Sequence, residues 1–477
     1  MIGNDFYESH LDLDDAALYK INCFDWEEEF KSIFKGGGFD VVIGNPPYVQ
    51  IQGMERELKE GYKEANYKNY ISTGDIYQLF FEKGLDVLKI GGIVGMITSN
   101  KWMRAGYGAI TRDYFYRNAN VNGVIDLGGG RFKGATVDTN IILYSKKDDE
   151  IKINEPREFK AIKFYDDLIN LKDLEFKNDI VIANHDKEWI IMNNLENGIF
   201  EKINKHKLLK DWDIKINSGI KTGFNEAFFI DEETKNNLIK EDSKSADLIK
   251  PLLKGRDMRR YYCIHNNLYL INTHNGIKEK NIPPINIKDY PAIKKHLDKY
   301  YKQLEKRQDK GITPYNLRNC AYLSSFSNIN IVWQRITDRN KFVVSNEGEY
   351  ILDSMAFISG LNSREKAYYI LGVLNSNLVY FWIRHNVHEY GQTGFRLSNQ
   401  YVEIIPIPEP DKDTESKLVN LVDNIIDLNK KLSSEKNPNT IDILNSRIET
   451  IDRKINSIVY ELYNLNSQEI AIIEGDN

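Results

Sequence analysis

Short apolar runs separated by amphipathic segments set the pattern of the first third of the chain. The runs are rich in β-branched residues, which favours strands, and they include Val41 to Ile43, Ile93 to Ile97, Val121 to Leu127 and Ile141 to Tyr144. The segment that begins at Thr73-Gly74-Asp75 instead carries an apolar face at helical spacing. Strands that alternate with helices predict a doubly wound α/β sheet over residues 1–150. We expect the first run to be a strand buried on both faces of a parallel sheet.

The pattern changes twice after that region. Residues 151–205 predict a linker, and much of it is compatible with either an extra pair of strands or a helical connection. Short strands, many tyrosines and glycine-ended loops then predict a separate mixed α/β domain over residues 206–410, which closes in a run of prolines. In residues 411–477 apolar side chains recur at four- and three-residue spacing, which predicts a C-terminal helical hairpin.

Length and composition are those of a globular protein with several domains. The chain has 477 residues, of which 41% are hydrophobic and 28% charged, so two or three domains are expected. No apolar run approaches the ~20 residues that span a bilayer. The three cysteines, Cys23, Cys263 and Cys320, form no CxxC pair. We therefore expect a cytoplasmic protein with no membrane partner and no metal site.

The net charge of −6 is unevenly distributed along the chain. Residues 250–310 contain fifteen Lys or Arg against six Asp or Glu, whereas residues 411–477 contain eight against thirteen. A basic middle segment is compatible with nucleic-acid binding on one face of the protein. For Lys294 to Lys310 alone, a solvated lysine-rich helix is the better explanation.

The loop Asn45-Pro46-Pro47-Tyr48 gives the clearest indication of a chemical function. It follows a predicted strand, and open α/β sheets bind ligands at the carboxyl ends of their strands. The Asn45 side-chain oxygen and the Pro46 carbonyl can accept both hydrogen bonds of an NH2 group, which leaves the nitrogen more nucleophilic. Tyr48 offers a ring on which a base can stack, a contact of roughly 1–3 kcal/mol. The loop therefore suits methyl transfer to an exocyclic amine, and its plainer alternative is a turn that closes a strand.

The polar, tyrosine-rich stretch that continues from this loop to Ser72 predicts a mobile loop over a site.

Several blocks of sequence together resemble a known family. In the first domain they are Gly38-Phe39-Asp40 leading into Asn45 to Tyr48, Gly74 to Phe80, Ser99 to Trp102, and Arg131-Phe132 with Thr136 to Thr139. In the second domain they are Gly219 to Gly223, Lys254 to Asp257, Val332 to Arg335 and Leu374 to Ser376. With these blocks the chain resembles amino-methyltransferases of the gamma class, and more closely the carboxyl-terminal two-thirds of type IIG restriction–modification enzymes with a TaqI-like specificity domain.

This resemblance implies a fold and a reaction. The fold is a partial, Rossmann-like methyltransferase sheet followed by a mixed α/β target-recognition domain and a helical hairpin. The reaction is N6 methylation of adenine in double-stranded DNA, with S-adenosylmethionine as donor and the adenine flipped out of the stack. The resemblance maps the catalytic motif onto Asn45, Pro46, Pro47 and Tyr48.

It also suggests three residues outside the motif. Phe132 is a candidate second wall for the flipped base, although a Phe after a glycine run is more often a core residue. Asp5 and Asp75 are candidate donor-binding residues, and Asp5 is more readily explained as a surface turn residue.

The family's donor-binding glycine turn is not found before the catalytic strand. Only about forty residues precede Asn45, and Gly36 to Gly38 enters a strand with no helix behind it. We therefore expect the chain to begin within the methyltransferase fold, with an exposed apolar face on its sheet. Donor binding would then need a missing N-terminal segment or a partner subunit. Two functions stay open, namely an adenine methyltransferase of a restriction–modification system, and a DNA-specificity subunit or truncated remnant that binds DNA without methylating it alone.

Six basic residues of the second domain are candidates for phosphate or guanine contacts. They are Lys221, Lys254, Arg256, Arg259, Arg260 and Arg335. Each is equally compatible with a surface ion pair, and the sequence does not separate residues that specify a base from residues that position the backbone.

Overall fold

In a computed structural model the chain divides into two compact units, residues 1–197 and 198–477. The structure describes residues 24–128, 138–147, 157–163, 179–183, 188–387, 389–390 and 394–475. Asp5 and Phe132 lie outside these ranges, so their assignments stay predictions. Within the described ranges, no helix combines the length and the apolar character needed to cross a membrane.

The first unit is built on a seven-stranded sheet with the order β1-β2-β4-β3-β5-β6-β7. Its strands are β1 (Phe39–Gly44), β2 (Leu88–Ser99), β3 (Ala119–Gly128), β4 (Thr139–Lys146), β5 (Arg157–Lys163), β6 (Asp179–Ala183) and β7 (Met192–Asn193). Its helices are α1 (Trp26–Glu29), α2 (Lys31–Lys35), α3 (Arg56–Glu64), α4 (Tyr77–Asp86) and α5 (Ala109–Asn118). The pairs β1–β2 and β3–β5 are parallel and the other neighbours antiparallel. The predicted α/β class is confirmed, with a mixed rather than a parallel sheet.

β1 lies at an edge of this sheet, which corrects one expectation. Among the described residues β1 pairs with β2 alone. Val41 is 57% exposed and Ile43 is 84% exposed, whereas Val42 packs against the core. The expectation of a strand buried on both faces is therefore wrong, because only one face of β1 is covered. The related expectation of an exposed apolar face is confirmed.

Part of the predicted linker belongs to the first sheet. β5, β6 and β7 extend the sheet beyond β3, and Phe159, Ala161 and Val181 are buried in the core of the first unit. Helix α6 (Asn194–Ile203) then follows. The sequence left open a choice between a strand pair and a helical connection, and the chain contains both.

Helix α4 is fixed closely to the sheet. A Cβ added at Gly84 would lie 3.0 Å from the Met96 side chain and 3.1 Å from the Tyr144 hydroxyl, so the glycine permits the close approach. The Tyr144 hydroxyl donates to the Phe81 carbonyl at 3.0 Å. This packing sets the position of the first turn of α4, which borders the Asn-Pro-Pro-Tyr loop.

The second unit contains several small sheets. Their orders are β10-β12-β11-β16, β15-β13-β17-β9, β14-β19-β18 and β20-β8. The strands are β8 (Lys207–Leu208), β9 (Lys215–Ser218), β10 (Phe229–Asp231), β11 (Ile249–Leu253), β12 (Leu268–Ile271), β13 (Asn330–Gln334), β14 (Ile336–Thr337), β15 (Phe342–Ser345), β16 (Tyr350–Ile351), β17 (Met355–Ser359), β18 (Glu389–Tyr390), β19 (Gly394–Arg396) and β20 (Pro406–Ile407).

The helices of this unit lie between the strands and in the tail. They are α7 (Asn225–Phe228), α8 (Glu232–Glu241), α9 (Ser245–Leu248), α10 (Pro291–Asp298), α11 (Tyr301–Lys306), α12 (Arg364–Leu374), α13 (Asn377–Asn386), α14 (Asn399–Val402), α15 (Lys412–Ser434), α16 (Pro438–Leu462) and α17 (Ser467–Glu474). The predicted mixed α/β composition of this region is thus observed.

The tail contains the two expected helices, α15 and α16, joined by three residues, and a third helix, α17, that was not expected. They pack on the rest of the second unit rather than standing apart from it. A Cβ at Gly372 in α12 would lie 2.9 Å from the Val422 side chain, so the glycine brings α15 close to α12. The Tyr463 hydroxyl donates to the Pro406 carbonyl at 2.6 Å. The hairpin is therefore part of the same folded unit.

Candidate functional site

The carboxyl ends of β1, β2 and β3 lie at one edge of the first sheet. The strand register pairs Gly44 with Met96, Ser99 with Thr139, and Asp126 with Asn140. Because β4 runs in the opposite direction, its first residues share this edge. The predicted arrangement of ligand-binding loops at the carboxyl ends of strands therefore fits the structure.

The Asn-Pro-Pro-Tyr loop begins immediately after β1. Asn45 and Pro47 are exposed, Pro46 is buried and Tyr48 is half-buried. Among the described residues, neither the Asn45 side chain nor the Pro46 carbonyl takes part in a hydrogen bond. Both prolines fix φ and lack a backbone donor, so they end the strand here. Two adjacent oxygen acceptors are thus available on a stiff loop.

Tyr48 is held in a defined orientation. Its hydroxyl donates to the Ile97 carbonyl at 3.1 Å, and its ring meets the Tyr77 ring edge-on, with centroids 6.0 Å apart. Burial raises the pKa of Tyr48, so the hydroxyl keeps its proton at neutral pH. The ring is therefore a neutral aromatic surface beside the two acceptors.

The chain after Tyr48 is paired with the segment in front of α4. The Ile51 amide donates to the Gly74 carbonyl at 2.9 Å, and the Ile76 amide donates to the Val49 carbonyl at 2.9 Å. These bonds hold the loop from its far end. Together with β1 at the near end, they restrict the positions of Asn45 and Tyr48.

The stretch up to residue 72 is anchored and partly helical, which corrects the expectation of a mobile loop. It contains α3, and Asn69 within it is fully buried. The Asn69 amide donates to the Glu82 carboxylate at 2.8 Å, and its side chain donates to the Gln78 carbonyl at 2.7 Å. The Thr111 hydroxyl donates to the Asn69 side-chain oxygen at 2.8 Å and accepts a bond from the Gln78 side chain. This buried network ties the stretch to α4 and α5.

Asp75 lies next to α4 and is buried. Its carboxyl lies close to Tyr107, whose hydroxyl lies 3.1 Å from that of Tyr77. Neither tyrosine was predicted from the sequence as a site residue, although Tyr77 lies in one of the family-like blocks. A Tyr and a Gln that are buried in α4 were the signal that could have found Tyr77. Tyr107 lies in a turn before α5 and carries no comparable signal.

Asn100, Asp126 and Asp138 bring further polar groups to the same edge of the sheet. The Asn100 side chain donates to the Asp126 carboxylate at 3.1 Å, and the Asn100 amide donates to the Asp138 carbonyl at 3.0 Å. Burial raises the pKa of the Asp138 carboxyl, and the charge of Asp126 adds to that effect. In the described ranges, no group of three or more His, Cys, Asp or Glu side chains is arranged to hold a metal ion.

The six basic candidates of the second unit have different surroundings. Lys221, Arg256 and Arg259 are exposed, and Lys254 is half-buried. Arg256 is 74% exposed and reaches Asp257 only at 3.8 Å. A Cβ at Gly255 would lie 3.0 Å from the Gln334 side chain, so the turn that carries Arg256 packs against the end of β13.

Arg260 and Arg335 are instead engaged inside the fold. Arg260 makes two hydrogen bonds of 2.8 Å to the Asp452 carboxylate in α16, and its side chain is 20% exposed. Arg335 donates to the Ser218 hydroxyl and, at 3.2 Å, to the Asn399 side-chain oxygen. Their contacts give both residues a structural role that needs no nucleic acid.

The comparisons with known proteins agree with this architecture. Residues 2–133 match the Eco57I restriction-modification methylase family, and residues 250–407 match the TaqI-like C-terminal specificity domain. The chain joins an Eco57I-type methylase region to a TaqI-like specificity domain. The expected resemblance is thus confirmed. Asn45 to Tyr48 lie in the methylase region, and Arg256 and Arg335 lie in the specificity domain.

Type II methyltransferases are similar along most of the chain. M.BstVI of Geobacillus stearothermophilus is 22% identical over 94% of this chain and 77% of its own length. M.BanIII of Aneurinibacillus aneurinilyticus is 23% identical over 81% of this chain and 72% of its own length. The putative type II restriction enzyme and methyltransferase RM.MjaORFECS2P of Methanocaldococcus jannaschii is 25% identical over 93% of this chain, which covers 33% of that protein.

The fold also resembles a solved restriction–modification enzyme. The type IIL enzyme MmeI, solved in complex with DNA, has a TM-score of 0.59 and 13% identity. The match covers 97% of this chain and 59% of the MmeI chain. At this level of identity the likeness concerns the fold alone.

Proposed function

We propose that this chain takes part in adenine-specific N6 methylation of DNA in a restriction–modification system. The observation that supports this most is the pair of available acceptors, the Asn45 side-chain oxygen and the Pro46 carbonyl, beside the fixed ring of Tyr48. The similarity to type II methyltransferases supports the same reaction class.

The target adenine must leave the DNA stack before its amine can reach this loop, because the amine is otherwise inside the duplex. The base would stack on Tyr48, while its two N–H bonds point to Asn45 and Pro46. Hydrogen bonding outside the ring plane weakens conjugation of the amine with the ring and makes its nitrogen a better nucleophile. The residues thus bind, orient and activate the amine, and the reaction requires no covalent bond to the protein.

S-adenosylmethionine, as the proposed donor, supplies a methyl group on a positively charged sulfur. The described residues do not fit a complete donor site. Among them, no glycine turn joins a strand to a following helix ahead of β1, and Gly36–Gly38 lies between a helix and a strand. We propose that a partner subunit supplies the remaining donor contacts.

Double-stranded DNA is the proposed partner of the specificity domain. The exposed side chains Lys221, Arg256 and Arg259, with the half-buried Lys254, are the candidates for backbone or base contacts. Arg260 and Arg335 would act on this surface indirectly, by holding the chain that carries it.

The direct test is methyl transfer to duplex DNA. The chain is incubated with donor and a library of duplexes, alone and with the proteins encoded beside it, and methylated adenines are located by sequencing. We expect one short recognition sequence to be methylated by the wild type and not by Asn45→Ala. Methylation at cytosine, or equal methylation by both proteins, would contradict the proposal.

A second test concerns the donor. We expect calorimetry on the chain alone to show weak or undetectable binding of S-adenosylmethionine, because the described residues hold only the amine side of the site. Micromolar affinity would show that the missing donor contacts lie in the remainder of this chain.

The second candidate function is a DNA-specificity subunit without methyl transfer of its own. The incomplete donor site among the described residues favours it. It predicts sequence-specific DNA binding by the chain with no methylation under any combination of partners.

A further inference from the structure

Tyr77 is an aromatic neighbour of Tyr48 among the described residues. Its ring is fully buried and meets the Tyr48 ring with the planes at 82° and the centroids 6.0 Å apart. At the other end of the Tyr48 side chain, the Ile97 carbonyl accepts the hydrogen bond of the hydroxyl at 3.1 Å. Because these two contacts act on different parts of the same side chain, together they fix the plane of the Tyr48 ring.

The hydroxyl of Tyr77 is hydrogen-bonded to that of Tyr107, at a distance of 3.1 Å. Burial raises the pKa of both tyrosines, so both hydroxyls keep their protons and one donates to the other. The Asp75 carboxyl lies close enough to this pair for its charge to raise both pKa values further.

This bond connects two separate parts of the first unit, because Tyr77 begins α4 and Tyr107 precedes α5. The residue before Ile76, Asp75, is also held in place, because its amide donates to the Gln78 side-chain oxygen at 2.8 Å. Rotation of the Tyr77 ring would break the part-buried bond to Tyr107, which is costly. The Tyr77 ring is therefore held in a fixed orientation beside Tyr48.

We propose that Tyr77 is a positioning residue for the target base that acts through Tyr48, and that Tyr107 sets its orientation. The proposal rests on the proposed function, because it requires the base to stack on Tyr48.

A double-mutant cycle separates this role from general stabilisation of the fold. In the active form of the protein, Tyr77→Leu should lower kcat by about 2–10-fold with little change in KM for DNA, the range expected for an edge-to-face aromatic pair. In a Tyr48→Ala background the same substitution should change kcat by less than about 2-fold, because the residue through which it acts is absent. An equal loss in both backgrounds would overturn the proposal.

Tyr114→Leu is the matched control. Tyr114 is a buried tyrosine of the same core, in α5, and packs against Phe115 rather than Tyr48. Its effect on kcat should be the same in the wild-type and Tyr48→Ala backgrounds. If Tyr77→Leu does not fold, Tyr77→Phe removes only the hydroxyl and should show a smaller effect with the same dependence on Tyr48.

A second measurement needs no methyl transfer. With 3-fluorotyrosine placed at position 48, the 19F resonance of the chain reports the surroundings of that ring. We expect Tyr77→Leu to move the resonance towards that of free fluorotyrosine and Tyr114→Leu to leave it in place. An unchanged resonance in Tyr77→Leu would overturn the proposal. A shifted resonance in a protein that never methylates DNA would uphold the contact and count against the proposed function instead.

Discussion

In the loop after β1, the groups proposed to act on the substrate follow one another along the chain. In the turn after β11, three arginines are equally close in sequence, but their surroundings separate them. Arg256 is 74% exposed, whereas Arg260, four residues later, is bound to Asp452 in the tail. Neighbouring residues of the Asn-Pro-Pro-Tyr loop thus share one proposed role, because a stiff local loop defines the site. The neighbouring arginines after β11 have different roles, because their partners lie in distant segments of the chain.

Asn45→Ala gives the largest expected effect on the first region. Loss of a group that contacts the reacting amine should lower kcat by about 100–1,000-fold, as for other acceptors or donors aimed at a reacting group. Because Asn45 is exposed and makes no hydrogen bond within the described residues, stability should change by less than about 0.5 kcal/mol. Methylation assays and urea unfolding measure the two quantities. A variant that retains full methylation would remove Asn45 from the mechanism.

Arg260→Ala tests whether Arg260 stabilises the second unit rather than contacting DNA. It leaves the half-buried Asp452 carboxylate without its bidentate partner, so the free energy of unfolding should fall by about 3 kcal/mol. Urea denaturation gives this value, and the salt dependence of DNA binding by the folded variant should match the wild type. A large change in that salt dependence with unchanged stability would assign Arg260 to the DNA surface.

Tyr48→Phe tests how much the hydroxyl of Tyr48 contributes in the loop after β1. It keeps the stacking ring and removes the hydrogen bond to the Ile97 carbonyl, so kcat should fall by about 2–10-fold, in line with a bond worth roughly 0.5–1.5 kcal/mol. Tyr62→Phe is the control, since Tyr62 is also half-buried but makes no hydrogen bond among the described residues. Equal effects of both substitutions would argue against a special role for the Tyr48 hydroxyl.

Arg256→Ala gives the smallest expected effect and is the counterpart of Arg260→Ala. If Arg256 neutralises one phosphate, the slope of log K against log salt should fall by about one. Stability should remain within about 0.5 kcal/mol of the wild type, because the side chain is exposed and weakly paired. An unchanged slope would exclude a phosphate contact at this position.

Local sequence was sufficient to predict the turn after β1 and the two long helices of the tail, but not α17. Two prolines after a β-branched run end a strand wherever the strand lies, and regular apolar spacing over 20 residues defines a helix. The same β-branched run did not reveal that β1 is an edge strand, because Val41 and Ile43 have the composition of a central strand while their exposure depends on neighbours elsewhere in the chain.

The buried polar groups could not be read from the sequence for a related reason. Asn69, Gln78 and Glu82 look like surface residues of a polar loop and a helix, and only their mutual hydrogen bonds make burial favourable. The roles of the charged residues Arg256 and Arg260 could not be predicted from the sequence either. Their identical side chains acquire different roles through Asp452, a residue almost two hundred positions away.

The close packing at Gly372 affects how a specificity domain could be grafted from one such methyltransferase onto another. The matched specificity region ends at residue 407, but Val422 rests against Gly372 and Asp452 binds Arg260. The Asn377 side chain also donates to the Glu474 carboxylate at 2.9 Å. A graft cut at residue 407 would therefore leave an open groove and an uncompensated charge. The transferable cassette extends through α17.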